Sequence, residues 1–586
     1  MKVVLALQLL SVASAKFALD DLQVMMEADV RKYESDNWVV GERVSEEDTL
    51  NLDFYLKQDE DDQKNFEKEL LELASPVLNG EKNPKYGKWL SHEEVVEKLS
   101  ASREAIDSVL DFAANQLQAQ DIHINKLKSI VKVKNVKARI VEEALSTRLH
   151  HHSHKTYTKV DLIRATAPYH LPARVAVHVS LVGELIRFPR MRFADSRLVF
   201  TDLKEPSVNK SSSDSWSKCG SRYSSYTNPY VLAERYGFDL SYTSSSSDSS
   251  LALGEFQGEY YDDTDLEAFS SACDLPTISI SSTTGGNTPS KCEVGLEPCI
   301  ESLLDIEYAG AIAGDIPLSI IYSSSYSLLD FAESIQDMDD PPKVVSVSYG
   351  NDEAQQTGSS FMESVSSAFM KLGSMGVTIL FAAGDQGVWG REGYGTSFNP
   401  DFPAGSPYVT AVGGTDFATE STIGDETTWE DGGSGFSDEF DTASFQTDEV
   451  SAYLKTDDLP KSSLYNADGR AYPDVSALAG EVNPYLISYK DGTFSAVAGT
   501  SAACPVVAGM LAQINDKRLA AGKSALGWVN PALYAAGEAG SGFYDVTSGT
   551  TDGGYTTGFT AEEGWDAATG WGTVDFTSLE SYLSSY

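Results

Sequence analysis

The segment Gly499–Ala502 places a serine where a tight turn of small residues leads into an apolar run typical of a buried helix. Pro505 fits the first turn of such a helix. Ser501 would then lie at a helix N-terminus, where free backbone N–H groups and the positive end of the helix dipole can stabilise an oxyanion. This is the local chemistry that acyl transfer needs. Because Gly-Thr-Ser is also a common turn and helix cap, the rest of the sequence has to decide.

A serine hydroxyl becomes nucleophilic when a neighbouring base takes its proton, and the usual base is histidine. All eight histidines lie in the first third of the chain, the last of them being His178. If the rest of the chain is an enzyme once its N-terminal part is removed, its base has to be another group. Carboxylates are plentiful there, because the formal net charge is −43 at pH 7 and most of the acidic excess follows Lys210.

Glu301 and Asp305 form the best candidate pair, because residues four apart share one face of a helix. Two stacked acids can pass a proton between them. If the pair is buried, the shared negative charge raises the pKa of one carboxyl, while the other stays ionised and orients it. On spacing alone, two solvated acids on a helix surface are the simpler interpretation.

Asp385 is a third candidate acid. It follows the apolar, strand-like run Val377–Phe381 and lies between Gly384 and Gly387. In an α/β sheet this position is the carboxyl end of a strand, where active-site crevices form. The alternative is an aspartate with a purely structural role in a turn.

Taken in chain order, these pieces resemble the sedolisin family of serine-carboxyl peptidases, which share the subtilisin-like fold. The resemblance covers most of the chain. The N-terminal part is similar to the activation domain of that family at 75–76, at 83–91 and in the strand leading to 188–189. The catalytic part is similar at 301–305, 345–350, 381–387, 472–476 and 499–502.

The resemblance implies that Ser501 is the nucleophile, that Glu301 is its general base and acid, and that Asp305 orients Glu301. Asp385 would complete the oxyanion hole together with the backbone N–H of Ser501. A carboxyl group can donate to an oxyanion only while it is protonated, so neutral pH would both ionise Asp385 and repel the developing charge. We therefore expect an acid-active serine peptidase.

The C-terminal run is similar to the calcium site of the family, which implies one structural Ca²⁺ as cofactor. Oxygen ligands suit this hard cation. By analogy, Asp545 and Asp566 would bind through carboxylates, and Val546, Glu562 and Gly564 through main-chain carbonyls. Glu562 stands where the family commonly has glycine. Other departures from the family pattern are Gln386, Ala503 and Cys504, which leave substrate preference open.

The domain organisation follows from composition together with the resemblance. Residues 1–15 place one lysine before an apolar run that ends in Ala-Ser-Ala, the pattern that signal peptidase accepts. We predict a signal peptide at 1–15, an activation propeptide at 16–190, a linker with the maturation site at 191–217, and the catalytic domain at 218–586. Asn209 begins the single obvious glycosylation sequon, within that linker.

The expected fold class is α/β, with a subtilisin-like parallel sheet flanked by helices and an N-terminal α+β (ferredoxin-like) prodomain. In the catalytic part, strands are expected at Lys343–Tyr349, Val377–Ala383 and Tyr408–Val412, alternating with helices and Gly-rich turns. The prodomain combines helical patterns with a strand-like run. The helical patterns cover Asp62–Leu73 and Ser91–Leu117, and the strand-like run covers Val175–Leu181.

Two further composition features carry predictions. The histidine-rich stretch His150–His154 is expected to be a solvated polar linker, with metal binding as the alternative, and Ser241–Ser250 a flexible surface loop. Five cysteines leave at least one unpaired, and Cys504, in the apolar run after Ser501, is the candidate. The other four are expected to form two disulfides, although the sequence does not choose among the three possible pairings: Cys219, Cys273, Cys292 and Cys299.

So acidic a surface repels nucleic acid and anionic membranes, and no segment after the signal peptide is apolar enough for a membrane span. We expect a monomer with polypeptide substrates and with its own propeptide as an intramolecular inhibitor. The expected location is extracellular, with an acidic vacuole or lysosome as the alternative. A secreted non-catalytic scaffold and a histidine-dependent subtilisin are the competing interpretations. Endopeptidase and tripeptidyl-peptidase activity are both open.

Overall fold

The computed structural model of the chain describes residues 22–27, 38–155, 161–183, 185–188, 213–293, 298–324, 326–356, 358–490 and 492–586. The predicted signal peptide, most of the predicted linker and the sequon at Asn209 lie outside the described residues. The chain packs as two units, of which the first comprises residues 1–68, 91–190 and 356–365 and the second residues 69–90, 191–355 and 366–586. In the part of the chain that is described, no helix has both the length and the apolar character needed to cross a membrane.

The first unit is built on a four-stranded antiparallel sheet. Its order is Val179–Gly183, Thr49–Leu56, Ile130–Lys137 and Asp121–Ile124. Apolar residues two apart in a strand point to the same face, and Phe54 and Val131 lie there among the buried residues of the core. The helix Arg103–Asn115 buries Phe112 against this face, with its ring centroid 6.0 Å from that of Phe54.

Smaller elements complete the first unit, which is α+β as expected. A three-stranded antiparallel sheet has the order Trp38–Arg43, Leu149–His154 and Asp161–Ala165, and Gln23–Met25 pairs with His170–Pro172. The remaining helices are His92–Leu99, Ala138–Ala144 and Ala173–Ala176. The helices Glu60–Ala74 and Ser359–Ser374 contribute residues to both units.

Two predicted elements of the prodomain differ in detail from the structure. The single helix expected over Ser91–Leu117 is divided at residues 100–102, because Ser102 starts a new helix by accepting a hydrogen bond from the backbone N–H of Ala105. The run Val175–Leu181 is helical in its first part and extended in its second, since a short helix ends at Ala176 and the strand begins at Val179.

The prediction that His150–His154 is a solvated linker is wrong. These residues form the central strand of the three-stranded sheet, and the side chains of His152 and His154 are buried. The His154 ring packs edge-on against Trp38 with centroids 5.1 Å apart, and the His152 ring lies 4.8 Å from that of Phe188. Local polarity suggested a linker, whereas the burial of residues two apart is the pattern of a strand.

The second unit contains a ten-stranded sheet, and the α/β prediction is confirmed. Seven strands run parallel in the order Ile280–Thr284, Leu318–Ser323, Leu251–Phe256, Val344–Val347, Thr378–Ala382, Thr410–Phe417 and Val475–Leu478. Thr573–Val574 is an eighth parallel strand, beside Val475–Leu478, and it pairs with the antiparallel Phe543–Tyr544. Glu426–Thr428 pairs antiparallel with Thr410–Phe417. Strands such as Leu251–Phe256 are buried along their whole length, which suits apolar runs in a parallel sheet covered on both faces.

Two long helices beside the sheet position the candidate residues. We call Ile300–Ala313 the glutamate helix and Thr500–Ala520 the serine helix. They pack closely, since a side chain added at Gly509 would meet Ile312 at 2.9 Å. All fourteen residues of the glutamate helix are buried, so its acids are enclosed in protein rather than solvated.

Further helices and short strands complete the second unit. The helices are Pro229–Tyr236, Asp263–Ala272, Leu328–Gln336, Thr447–Tyr453, Asn530–Glu538 and Phe576–Leu583. Two-stranded antiparallel pairs form between Val77–Leu78 and Glu81–Lys82, Asn351–Asp352 and Asp401–Phe402, Gly435–Asp441 and Gly469–Tyr472, and Tyr485–Tyr489 and Thr493–Val497.

The cysteine predictions are confirmed, and the structure chooses the pairing. Disulfides join Cys219 to Cys273 and Cys292 to Cys299, and Cys504 is free and buried. The Ser-rich run Ser241–Ser250, predicted to be a flexible loop, is tied to the serine helix by Asp516. The Asp516 carboxylate accepts hydrogen bonds from Ser244 Oγ, Ser245 N, Ser246 N and Ser249 Oγ.

Candidate active site

Ser501 is the second residue of the serine helix, and its side chain is 3% exposed. Pro505 falls in the second turn of this helix, one turn later than expected, because the helix begins at Thr500. Proline has no N–H to donate to the carbonyl four residues earlier. The backbone carbonyl of Ser501 therefore lacks its usual helical partner and is open to another donor.

Ser348 lies next to that carbonyl. It follows the strand Val344–Val347, at the carboxyl end of the central sheet. Ser348 Oγ is 3.3 Å from the carbonyl oxygen of Ser501 and 2.9 Å from Oδ1 of Asp305, so its single proton can serve either acceptor. In return, the Ser501 hydroxyl donates to the Ser348 carbonyl at 3.4 Å. Ser348 thus connects the serine helix to the glutamate helix.

Glu301 and Asp305 lie one turn apart near the start of the glutamate helix, and both side chains are fully buried. The interpretation of solvated surface acids is therefore wrong. The charges of Glu301 and Asp305 also act on Cys504, a residue of the serine helix. Burial raises the pKa of the Cys504 thiol to about 12, and the negative charges of Asp305 and Glu301 act in the same direction. Cys504 follows Ser501 by one turn, and Asp305 is connected to Ser501 through Ser348.

Two further buried acids surround the start of the glutamate helix. Glu259 Oε2 accepts a hydrogen bond from the backbone N–H of Glu301 at 3.2 Å. Glu255 Oε2 accepts from Ser302 Oγ at 2.9 Å and from the hydroxyl of Tyr349 at 3.0 Å. Ionising all of these adjacent carboxyl groups at once would cost free energy, because their negative charges repel one another. Such a site is therefore suited to acidic pH, where some of them are protonated.

Asp385 lies just beyond the strand Thr378–Ala382, where the sequence placed it. Its Oδ1 accepts hydrogen bonds from the backbone N–H of Thr500 at 2.7 Å and from Thr500 Oγ1 at 2.8 Å. Thr500 also accepts from the backbone N–H of Gly384 at 3.1 Å, which clamps the Asp385 loop to the start of the serine helix. The Asp385 carboxyl group is thus bonded to Thr500, the residue that immediately precedes Ser501.

These contacts bring Ser501, Asp305 and Asp385 to one place at the carboxyl edge of the sheet. Asp305 is joined to Ser501 through Ser348, Asp385 is joined to Ser501 through Thr500, and Glu301 stands one turn before Asp305. Sequence reasoning assigned no role to four of their neighbours: Glu255, Glu259, Ser348 and Thr500. The signal that could have found Ser348 is its position directly after an apolar strand of a parallel sheet.

The predicted calcium ligands also lie together. The backbone N–H of Gly564 donates to Asp545 Oδ2 at 2.9 Å, and that of Glu562 donates to Asp566 Oδ2 at 3.0 Å. The segment 562–564 therefore passes directly beside both carboxylates. Asp566 is fully buried, and its Oδ1 accepts from the backbone of Ala568 and Thr569.

The donor chemistry of this cluster fits a divalent cation. Burial raises the pKa of Asp566 to about 8, and the nearby charge of Asp545 adds to that rise, although three backbone N–H groups oppose it. Two neighbouring acids that disfavour each other's charge, as the buried Asp566 and the exposed Asp545 do, are stabilised when a cation lies between them. Carboxylate and main-chain oxygens are the ligand types that Ca²⁺ prefers.

Family models match both parts of the chain. Residues 36–188 match a model described as the Pro-kumamolisin activation domain. Residues 316–536 match the subtilase family, a range that includes Asp385 and Ser501. The chain thus carries an activation domain ahead of a peptidase domain.

Known proteins are similar over nearly the whole chain. Tripeptidyl-peptidase 1 of Rattus norvegicus is 32% identical over 560 residues, covering 92% of this chain and 93% of the relative. Tripeptidyl-peptidase 1 of Homo sapiens is 32% identical over 576 residues, covering 94% and 95%. Among solved structures, Pseudomonas sedolisin, a serine-carboxyl proteinase complexed with pseudo-iodotyrostatin, matches with a TM-score of 0.51 and 24% identity, covering 61% of this chain and 98% of its own.

The sedolisin match supports the fold, and the full-length relatives show the family. The chain therefore belongs to the sedolisin family of serine-carboxyl peptidases, alongside tripeptidyl-peptidase 1.

Proposed function

We propose that this peptidase works through Ser501 as nucleophile, Glu301 as general base and acid, and Asp305 as the residue that orients Glu301. The observation that carries this assignment is the position of Ser348, which contacts Asp305 on one side and Ser501 on the other. Among the described residues, the second unit contains no histidine, which supports a carboxylate as the group that takes the proton.

In the first half of the reaction, Ser501 Oγ attacks the carbonyl carbon of the scissile peptide bond and passes its proton to Glu301. The carbonyl oxygen becomes an oxyanion, which accepts hydrogen bonds from the backbone N–H of Ser501 and from the protonated carboxyl of Asp385. Collapse of this intermediate breaks the C–N bond, and Glu301 returns the proton to the leaving amine. An acyl-enzyme remains on Ser501.

In the second half, a water molecule gives its proton to Glu301 and attacks the acyl carbon. The second tetrahedral intermediate collapses, Ser501 recovers its proton from Glu301, and the acid product leaves. Since Asp385 has to be protonated in both halves, activity is expected at acidic pH and is lost as the pH rises towards neutrality.

The substrate is a polypeptide, and we propose that the products are tripeptides released from amino termini. The support is the name of the relatives that match the chain over most of its length. Incubating the processed enzyme with folded and unfolded proteins at about pH 4, followed by mass spectrometry, tests this. A ladder of three-residue losses from the N-terminus supports the proposal, whereas internal fragments without such a ladder contradict it. The Ser501→Ala variant is the matched control.

The activation domain is proposed to act as the intramolecular inhibitor of the zymogen. The match of residues 36–188 to an activation domain supports this. Maturation would cut within the predicted linker at 191–217. The predicted signal peptide at 1–15 fits export, to the extracellular medium or to an acidic vacuole or lysosome. Western blotting of culture medium and of isolated acidic compartments distinguishes these destinations.

One Ca²⁺ is proposed as a structural cofactor of the catalytic domain. Asp545 and Asp566 would hold it through carboxylates, and Val546, Glu562 and Gly564 through main-chain carbonyls. Such an ion would neutralise the buried Asp566 and the exposed Asp545 beside it, and would fix the C-terminal segment that carries them. The candidate catalytic residues lie elsewhere in the chain, so the ion's role would be structural.

A further inference from the structure

Two exposed tyrosines stand out on the second unit. Among its described residues, the large apolar side chains that are more than about a third exposed are Tyr394, Val482 and Tyr555. Tyr394 is 65% exposed and Tyr555 is 46% exposed. A single exposed apolar residue is ordinary, whereas a group of exposed aromatic rings marks a place where a ligand can bind.

The two tyrosines lie side by side on a buried tryptophan. Their ring centroids are 5.1 Å apart, and the Trp389 ring is 4.4 Å from Tyr394 and 5.9 Å from Tyr555. Trp389 is in turn packed edge-on against Phe398 at 4.9 Å, which fixes it in the protein interior. We call Trp389, Tyr394 and Tyr555 the aromatic shelf.

The aromatic shelf is continuous with the loop that carries Asp385. The helical turn Gly387–Trp389 begins two residues after Asp385. The loop that carries Tyr555 packs on this turn, since the backbone N–H of Val388 donates to the Thr551 carbonyl at 3.0 Å. A side chain added at Gly387 would meet Thr551 O at 2.6 Å, so the two segments approach as closely as backbone allows.

This connection limits the distance between the shelf and the scissile bond. Trp389 is four positions after Asp385 in the sequence, so their Cα atoms are at most about 14 Å apart. An extended peptide advances about 3.3 Å per residue. A substrate whose scissile carbonyl lies at Asp385 can therefore reach the shelf with a side chain about four residues or fewer from the cleaved bond.

We propose that the aromatic shelf is a substrate subsite that takes an aromatic or long apolar side chain of the polypeptide, near the bond that is cleaved. The inference rests on the proposed function, since the ligand is the substrate of that same site. Ring faces stack on aromatic side chains and pack on aliphatic ones, and the rigid Trp389 beneath them lowers the entropy cost of binding.

The test uses the processed enzyme and a set of peptides in which one alanine is replaced by phenylalanine. The replaced position moves along the three residues before the cleaved bond and the four residues after it. At one position, phenylalanine should raise kcat/KM by about three- to tenfold. The double variant Tyr394→Ala/Tyr555→Ala should lose this preference while cleaving the all-alanine peptide at the wild-type rate. Tyr394→Phe, which keeps the ring, should retain it, and Val482→Ala is the control for an exposed apolar residue elsewhere.

Binding of the same peptides to processed Ser501→Ala, measured by calorimetry, gives a readout that needs no turnover. If the wild-type enzyme cleaves the all-alanine peptide but shows no preference for phenylalanine at any position, the aromatic shelf is not a substrate subsite, and the proposed function is unaffected. A preference that persists in the double variant would also overturn it. Failure to cleave any peptide would instead contradict the proposed function. The calorimetric comparison of phenylalanine and alanine peptides would then still show whether the aromatic shelf binds an aromatic side chain.

Discussion

The hydroxyl of Ser348 lies 2.9 Å from Oδ1 of Asp305, and the carbonyl of the same Ser348 accepts the hydrogen bond of the Ser501 hydroxyl. One residue thus touches both the proposed nucleophile and the proposed orienting acid. Because Pro505 leaves the Ser501 carbonyl without its helical donor, Ser348 can also hold the start of the serine helix.

Removing the Ser348 hydroxyl should weaken the reaction without abolishing it. A hydrogen bond to a charged group contributes about 1.5–3 kcal/mol, so Ser348→Ala should lower kcat by roughly 10- to 100-fold. Loss of a donor favours protonation of Asp305, so the acid limb of the kcat profile should also move to higher pH. Ser348→Thr keeps the hydroxyl and should restore both. Kinetics from pH 2.5 to 6 check this, and an unchanged profile in Ser348→Ala would refute the role.

Thr500 should set the upper pH limit of activity. Its Oγ1 and its backbone N–H both donate to Asp385 Oδ1, and such bonds favour the ionised carboxylate. Thr500→Val keeps the shape of the side chain but loses the hydroxyl donor. Since the proposed active form of Asp385 is protonated, the alkaline limb of kcat/KM should move to higher pH in Thr500→Val and stay in place in Thr500→Ser. A shift to lower pH in Thr500→Val would contradict the proposed protonation of Asp385.

The activation domain should lose stability as the pH falls. Burial lowers the pKa of both His152 and His154, and Arg164 and His150 add to the effect on His152, although hydrogen bonds to the backbone oppose it. These rings bind fewer protons in the folded unit than in the unfolded chain. Their stabilisation is therefore present above the ordinary histidine value of about 6.5 and is lost as the pH drops through it. His151, whose pKa is raised by hydrogen bonds to Asp48 and Asp161, opposes this trend.

Hydrogen exchange of the strand Leu149–His154 in the full-length Ser501→Ala chain measures this effect. After correction for the intrinsic pH dependence of exchange, protection should be lower at pH 5.5 than at pH 7.5. The double replacement His152→Phe/His154→Phe removes the two titrating rings and keeps aromatic volume beside Trp38 and Phe188. It should abolish the loss of protection at pH 5.5, and because His151 still titrates, protection in this variant should be equal or higher at pH 5.5 than at pH 7.5. Equal protection of the Ser501→Ala chain at both pH values would disprove the effect.

Removal of calcium should destabilise the processed enzyme. With the ion at about 100 times its Kd, binding contributes about 2.7 kcal/mol, which corresponds to roughly 5 °C in Tm for a unit of this size. Chelation should therefore lower Tm by about that amount, and added Ca²⁺ should restore it. Asp566→Asn should remove the response, while Asp458→Asn, at an exposed acid, should keep it. If the chelator leaves the Tm unchanged, the proposed calcium site is ruled out.

Local pattern predicted the positions of two candidate residues in the fold better than it predicted their surroundings. Ser501 and Asp385 could be found because a small-residue turn before a helix and a turn after an apolar strand are both local features. The roles of Ser348 and Glu259 depend on which strand and helix become neighbours, and that is decided by tertiary packing. The disulfide pairing of Cys219 with Cys273 depends in the same way on a contact across 54 residues of sequence.

The histidine stretch shows how composition can mislead. Four histidines in a polar context suggested a solvated linker, yet His152 and His154 are buried against aromatic rings. Their spacing of two residues is the period of a strand. The same burial gives the prodomain a pH-sensitive element that a solvated linker would lack.

The most direct test of the proposed mechanism is the kcat of Glu301→Gln after processing by an added protease, at the pH optimum of the wild type. Glutamine fills the same space and cannot take the proton from Ser501. We predict a fall of about 10⁴-fold, with inhibitor binding retained, as for removal of a triad member in other serine peptidases. A kcat within tenfold of the wild-type value would show that another group activates the serine.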